Sequence, residues 1–84
     1  MRLIWNKQPV KALKAMQPKR AAKIRADMAA IAEDPLKNRR NVETIVGTDN
    51  GYRLRVGDLR VVYRIDNDTV HVVLIKSRGK VYKR

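Results

Sequence analysis

Gly51-Tyr52-Arg53-Leu54-Arg55-Val56-Gly57-Asp58-Leu59-Arg60-Val61-Val62-Tyr63-Arg64 holds two alternating segments separated by Gly57-Asp58. Alternation with a period of two is the mark of a half-buried strand. A Gly-Asp pair suits a two-residue hairpin turn. Closing the chain there sets Val56 opposite Leu59, Leu54 opposite Val61 and Tyr52 opposite Tyr63, all on one face. The other face carries Arg53, Arg55, Arg60 and Arg64, interrupted by Val62, with Arg55 directly opposite Arg60. Like charges facing each other across an antiparallel pair are destabilising. The pattern therefore points to a surface that receives an anion.

The same reading extends forward. Thr69-Val70-His71-Val72-Val73-Leu74-Ile75 is a third β-prone run, and Asn67-Asp68 supplies the turn before it. Unbroken register across that turn predicts Ile65 opposite Val70, Tyr63 opposite Val72 and Val61 opposite Leu74 on the apolar face. On the other face it predicts Arg64 opposite His71, Val62 opposite Val73 and Arg60 opposite Ile75.

Backward from the hairpin, Gly47-Thr48-Asp49-Asn50-Gly51 reads as a turn-rich linker and Val42 to Val46 as a short extended piece. Leu36 to Asn41 is a basic loop containing Lys37, Arg39 and Arg40. A helix is expected from about Pro18 to Asp34, with Ala21, Ile24, Met28 and Ile31 as its buried stripe. Lys19, Arg20, Lys23 and Arg25 crowd its N-terminal half, as a solvated face or a second basic contact surface. A shorter helix precedes it, with Asn6 as N-cap, Pro9 near its first turn, and Val10, Ala12, Leu13 and Met16 on its apolar side. Arg2-Leu3-Ile4-Trp5 reads as a first strand. The expected fold is α+β: an N-terminal strand, a two-helix hairpin, then an antiparallel sheet of three to four strands. The helices cover one sheet face and leave a basic face open.

The 84 residues suffice for one small domain, expected over 1–84. The formal net charge is +12, from 20 basic and 8 acidic residues. Such a field favours polyanions, nucleic acid first and an acidic protein second. There is no cysteine and a single histidine, His71, so disulfides and thiolate metal sites are excluded and a histidine-based metal site is not expected. Asn6, Lys7 and Gln8 interrupt the N-terminal apolar residues, so no secretory signal is expected. No apolar run approaches a membrane span. A cytoplasmic protein without a cofactor is the expectation.

No Ser-His-Asp set, prominent carboxylate pair or phosphate-cradling glycine loop occurs. What remains is a cluster of Arg, Lys and Tyr, which suits RNA cleavage without a metal. In that reaction the ribose 2′-OH attacks the adjacent phosphate, while arginines stabilise charge on the phosphoryl oxygens. Arg presents a planar fork suited to those oxygens. Arg is effectively always protonated, so Lys76, Lys80 or Tyr82 is the proton acceptor to consider. Tyr82 also offers a stacking face to an unpaired base.

The stretch from Gly51 to Tyr63 resembles the central signature of the RelE branch of the RelE/ParE toxin superfamily. Ser77-Arg78-Gly79-Lys80-Val81-Tyr82 is similar to that branch's C-terminal Arg-x-x-Val-Tyr ending. The resemblance implies a toxin of a type II toxin–antitoxin pair, a ribosome-dependent endoribonuclease that cuts mRNA. By motif position it implies catalytic roles for Arg53, Arg55, Arg60, Arg78 and Tyr82. Lys76, Lys80, Arg64 and Lys83 would contact RNA. The implied partners are the ribosome with its mRNA and a cognate acidic antitoxin, in a hetero-oligomer without membrane association. Two departures bear on acid–base roles: Arg at 53 and 55 where some members carry Lys, and Ser77 where many carry His. The competing readings are a non-catalytic ParE-like gyrase inhibitor and a plain basic nucleic-acid-binding module.

Overall fold

A computed structural model describes residues 1–77. Arg78, Lys80, Tyr82 and Lys83 lie outside the described residues. The elements are β1 (Arg2–Trp5), α1 (Lys7–Ala15), α2 (Pro18–Glu33), β2 (Val42–Thr44), β3 (Gly51–Val56), β4 (Leu59–Asp66) and β5 (Thr69–Ser77). They form one five-stranded sheet of order β1-β5-β4-β3-β2. The α+β expectation holds, with a wider sheet than the three to four strands expected. β1 joins β5 in parallel, Leu3 beside Val70 and Trp5 beside Val72. Both helices and strands β2 to β4 lie between them in sequence, ample length for the crossover that parallel pairing requires. The short extended piece becomes β2 on the opposite edge, antiparallel to β3.

The β3–β4 hairpin has the expected register throughout, from Tyr52 opposite Tyr63 to Val56 opposite Leu59. Gly57 turns the chain with φ +61°, a left-handed value that costs glycine nothing. Asn67 does the same at the second turn with φ +51°, where asparagine is among the most tolerant side chains.

The β4–β5 register departs from expectation halfway along. Ile65, Arg64 and Tyr63 face Val70, His71 and Val72 as expected, but a bulge follows between Val62 and Tyr63. Val73 is the extra residue. Beyond it Val62 faces Leu74, Val61 faces Ile75 and Arg60 faces Lys76. The reason lies in Val72-Val73-Leu74-Ile75, a run with no polar residue to fix its parity. The core therefore decides, and it takes Ile75, which is 4% exposed. A clamp holds this register from the side. Gln8 Nε2 donates to the Ile75 carbonyl at 2.8 Å, and the Ile75 N–H donates to Gln8 Oε1 at 2.8 Å. The amide thus continues the β5 edge pairing where β1 has ended. Gln8→Ala is expected to cost about 1–2 kcal/mol, from two hydrogen bonds on a partly exposed edge. Amide exchange should quicken at Ile75, which NMR would detect.

The core forms between the helices and one sheet face. Ala21, Ile24, Met28 and Ile31 of α2 are buried, matching the expected stripe, against Leu54, Val61, Val70 and Val72. On α1 the buried pair is Pro9 and Leu13, whereas Val10 is 39% exposed. Ala12, Leu13 and Met16 of the expected face do meet the core, and Pro9 takes the place expected for Val10. Asn6 occupies the N-cap position without a side-chain capping bond. Its backbone works instead: Asn6 N–H donates to the Val72 carbonyl at 3.0 Å, tying the helix start to β5.

At the end of α2, Asp34 is the C-cap and its N–H donates to the Ala30 carbonyl at 3.1 Å. Arg39 curls back over the same end. Its guanidinium donates to the carbonyls of Ala30 at 3.1 Å and Asp34 at 2.9 Å, with a longer bond to Lys37. A cation there also complements the helix dipole. One member of the expected basic loop is therefore a structural cap.

Tyr63 is 2% exposed, and its ring stacks on Tyr52 with centroids 5.4 Å apart. Burial pushes its phenol from 10.0 up to about 12, against a smaller opposing pull from Arg39. The neutral phenol is thus favoured in the fold. Its contribution is complete below pH 10 and declines as pH rises through the folded value, because the unfolded chain then binds fewer protons. Alkaline denaturation is expected to remove roughly 2–3 kcal/mol between those limits. Tyr63→Phe should lack that component, as urea unfolding at pH 8 and pH 11.5 would show.

Candidate nucleic-acid interface

The open sheet face is built by parity. Residues whose neighbours in sequence enter the core project to the opposite side. Register then sorts them into rows across the strands. The first row is Arg55, Arg60 and Lys76, on β3, β4 and β5. The second is Glu43, Arg53, Val62 and Leu74. The third sets Gly51, Arg64 and His71 beside Ile4.

The rows differ in charge balance. Arg53 Nε donates to Glu43 Oε2 at 3.2 Å, across the β2–β3 pair. Arg64 Nε donates to Asp66 Oδ2 at 2.6 Å, two residues along the same strand, and Asn50 donates to the other oxygen of Asp66 at 2.6 Å. Both arginines are therefore locally neutralised. Arg55, Arg60 and Lys76 have no carboxylate partner among the described residues. Arg55 and Lys76 are exposed and Arg60 between them is half-buried.

With strands about 4.8 Å apart, three cations stand across roughly 10 Å of sheet. In water, two unit charges about 4 Å apart repel by about 1 kcal/mol, and by more near a low-dielectric surface. Nothing within the described protein relieves this repulsion. A phosphate bridging the row would, and the arginine forks would donate to its oxygens.

The structure thus separates the expected site residues. It brings Arg55, Arg60 and Lys76 together. It places Arg53 one row away with Glu43, and Arg64 two rows away with Asp66. Lys76 reaches the row only because of the bulge, since unbroken pairing would set Ile75 beside Arg60. Two signals for the neutralising acids were present in the sequence. Arg64 and Asp66 share a face by simple alternation. Glu43 opposes Arg53 once Val42–Thr44 is paired to β3.

The second cationic cluster, on α2, is partly neutralised too. Arg20 pairs with Asp58 in the hairpin turn, and Lys23 pairs with Asp27 one helical turn on at 3.1 Å. This favours the solvated face over a second contact surface. His71 is half-buried on β5, a strand residue as expected. No helix among the described residues is long and apolar enough to cross a membrane.

The fold is a small α+β domain with helices on one sheet face and a row of cations on the other, without a carboxylate partner among the described residues. Within that fold class the relationships are specific. Residues 3–82 match the family model of the ParE toxin of the type II toxin–antitoxin system parDE. The chain belongs to this family, within the RelE/ParE toxins of type II toxin–antitoxin systems.

Among solved structures, the archaeal RelE–RelB complex from Pyrococcus horikoshii OT3 includes a chain 26% identical, with a TM-score of 0.81. The match covers 95% of this chain and 97% of that one. The intact E. coli RelBE toxin–antitoxin complex gives 14% identity and a TM-score of 0.76, over 95% and 98% of the two chains. The YoeB dimer from Staphylococcus aureus gives 18% and 0.77, over 93% and 97%. The last two establish the shared fold alone. No curated protein sequence matches the chain significantly.

Proposed function

We propose that this chain is the endoribonuclease toxin of its toxin–antitoxin pair, cutting mRNA on the ribosome in the cytoplasm. The observation that carries this reading is the Arg55–Arg60–Lys76 row, three cations aligned without a carboxylate partner among the described residues.

In the proposed reaction the ribose 2′-OH attacks the adjacent phosphorus and the O5′ bond breaks. A 2′,3′-cyclic phosphate remains on one fragment and a 5′-OH on the other. Arg60, central in the row, donates to the phosphoryl oxygens as charge builds there. Arg55 holds the same phosphate from the neighbouring strand. Arg53 meets the next phosphate once its contact with Glu43 yields, and Arg64 assists from its own row. Arg78 and Tyr82 are assigned by motif position, and Lys80 and Lys83 as RNA contacts. The proton from the 2′-OH goes to the unprotonated form of Lys76, Lys80 or Tyr82, and the departing O5′ takes a proton from another of these groups or from water. No cofactor is required. Within the RelE/ParE toxins, an acidic antitoxin is the partner that the +12 charge suits.

The match to a ParE model supports one alternative, inhibition of DNA gyrase by protein binding. Induced expression with mapping of RNA ends separates the two. The nuclease reading predicts growth arrest with new breaks inside translated codons. Arrest with intact mRNA and DNA-damage signalling would establish the alternative.

A further inference from the structure

The opposite end of the molecule holds a cleft that the cation row does not use. It lies between the loop after α2 and the β2 edge, has a volume of about 300 Å³, and is lined by Leu36, Lys37, Arg39, Val42, Thr44 and the Tyr52–Tyr63 pair among others. Tyr63 borders it although only 2% exposed. Among the described residues no hydrogen bond reaches the Tyr63 hydroxyl. A buried hydroxyl without a partner is uncommon and calls for one.

The surroundings describe the missing partner. A neutral phenol can donate, and an accepting partner would satisfy its O–H. Lys37 is exposed without an ion pair among the described residues, and Arg39 adds its charge beside it. The acceptor is therefore best anionic. Pro35, Leu36, Val42 and Tyr52 ask for an apolar stem behind it. Leu36 is 85% exposed, and Val46, two residues beyond β2, is 97% exposed. Leu36 lines the cleft, and Val46 follows the lining residue Thr44 by two positions, so two large aliphatic side chains are left in water.

We infer that this cleft is a docking site for a glutamate side chain of an acidic, apolar-flanked segment of a partner protein. The glutamate carboxylate accepts from Tyr63 and meets Lys37, while flanking aliphatic residues cover Leu36 and Val46. The inference rests on the antitoxin part of the proposed function and not on RNA cleavage.

The test titrates the full chain with the capped peptide Ac-Leu-Glu-Leu-NH2, following Tyr63 ring and Lys37 amide shifts by NMR. Ac-Leu-Gln-Leu-NH2 and propionate serve as comparisons. Saturable shifts are expected with the glutamate peptide. Binding should weaken about tenfold for the glutamine peptide and for Tyr63→Phe, each of which removes a charge-assisted hydrogen bond. Lys37→Gln should weaken it as well, and Leu36→Ser with Val46→Ser should bring the peptide down to the affinity of propionate. A flat titration would mean that the cleft holds only water and would overturn the inference. Equal binding of the glutamine peptide, of propionate, or by Tyr63→Phe would overturn it too. Arg60→Ala should leave the titration unchanged. Absence of cleavage by the unaltered chain, with a saturable titration, would reject the nuclease reading alone. A flat titration with retained cleavage would reject the cleft alone.

Discussion

Arg60→Ala is expected to lower RNA cleavage by about 10²–10³-fold, the loss typical of removing one donor to a developing oxyanion. Growth arrest on induction should disappear with it. Arg60 lies on the central strand of the sheet, between Arg55 and Lys76, and no carboxylate among the described residues draws it away. The fold should survive, because the substitution removes like-charge contacts and no ion pair. Arg60→Lys should fall between, since it keeps the charge and loses the planar fork. Arg53→Ala should have a smaller effect than Arg60→Ala, because Glu43 already holds Arg53. Cleavage rates on one defined mRNA, with circular dichroism on each variant, check the series.

The largest loss of stability is expected from Met28→Ala, at about 2–5 kcal/mol. Met28 is 0% exposed, in the middle of the α2 stripe between Ile24 and Ile31 and against the sheet. Truncation leaves a cavity bounded by two regular elements that have little freedom to close on it. A domain of this size has roughly 5–15 kcal/mol in total, so the variant approaches the unfolding threshold. Ala22→Lys, at an exposed position on the same helix, should change stability by less than about 0.5 kcal/mol. Urea titrations with unchanged slopes would confirm both.

The legible and illegible parts of this fold divide along physical lines. Gly57-Asp58 between alternating segments left one register open to the first hairpin, because a slip of one residue would expose Leu54 and Val61 together. The α2 stripe was equally plain from its spacing. The bulge at Val73 was not legible, because four consecutive aliphatic residues carry no parity. Only the core and the Gln8 clamp on Ile75 resolve it. The partner of β1 was also hidden, since four residues reveal an apolar face but not a neighbour.

For the site, composition and alternation located the cationic face but not its internal division. Glu43 and Asp66 are two carboxylates among many more cations in the sequence. Pairing shows that they remove Arg53 and Arg64 from the unpaired set. Arg39 misled in the opposite direction: a loop arginine read as part of a basic surface is occupied by the carbonyls at the end of α2. Lys76 gained importance for the same kind of reason, since a backbone irregularity and not its sequence position sets it beside Arg60.

The most direct test is a cell-free translation reaction with purified ribosomes and one defined mRNA, comparing the unaltered chain with Arg60→Ala. The account predicts cuts inside translated codons that leave 2′,3′-cyclic phosphate and 5′-OH ends, require ribosomes, and fall about 10²–10³-fold in the variant. Intact mRNA in the presence of the unaltered chain, or equal cleavage by both, would contradict it.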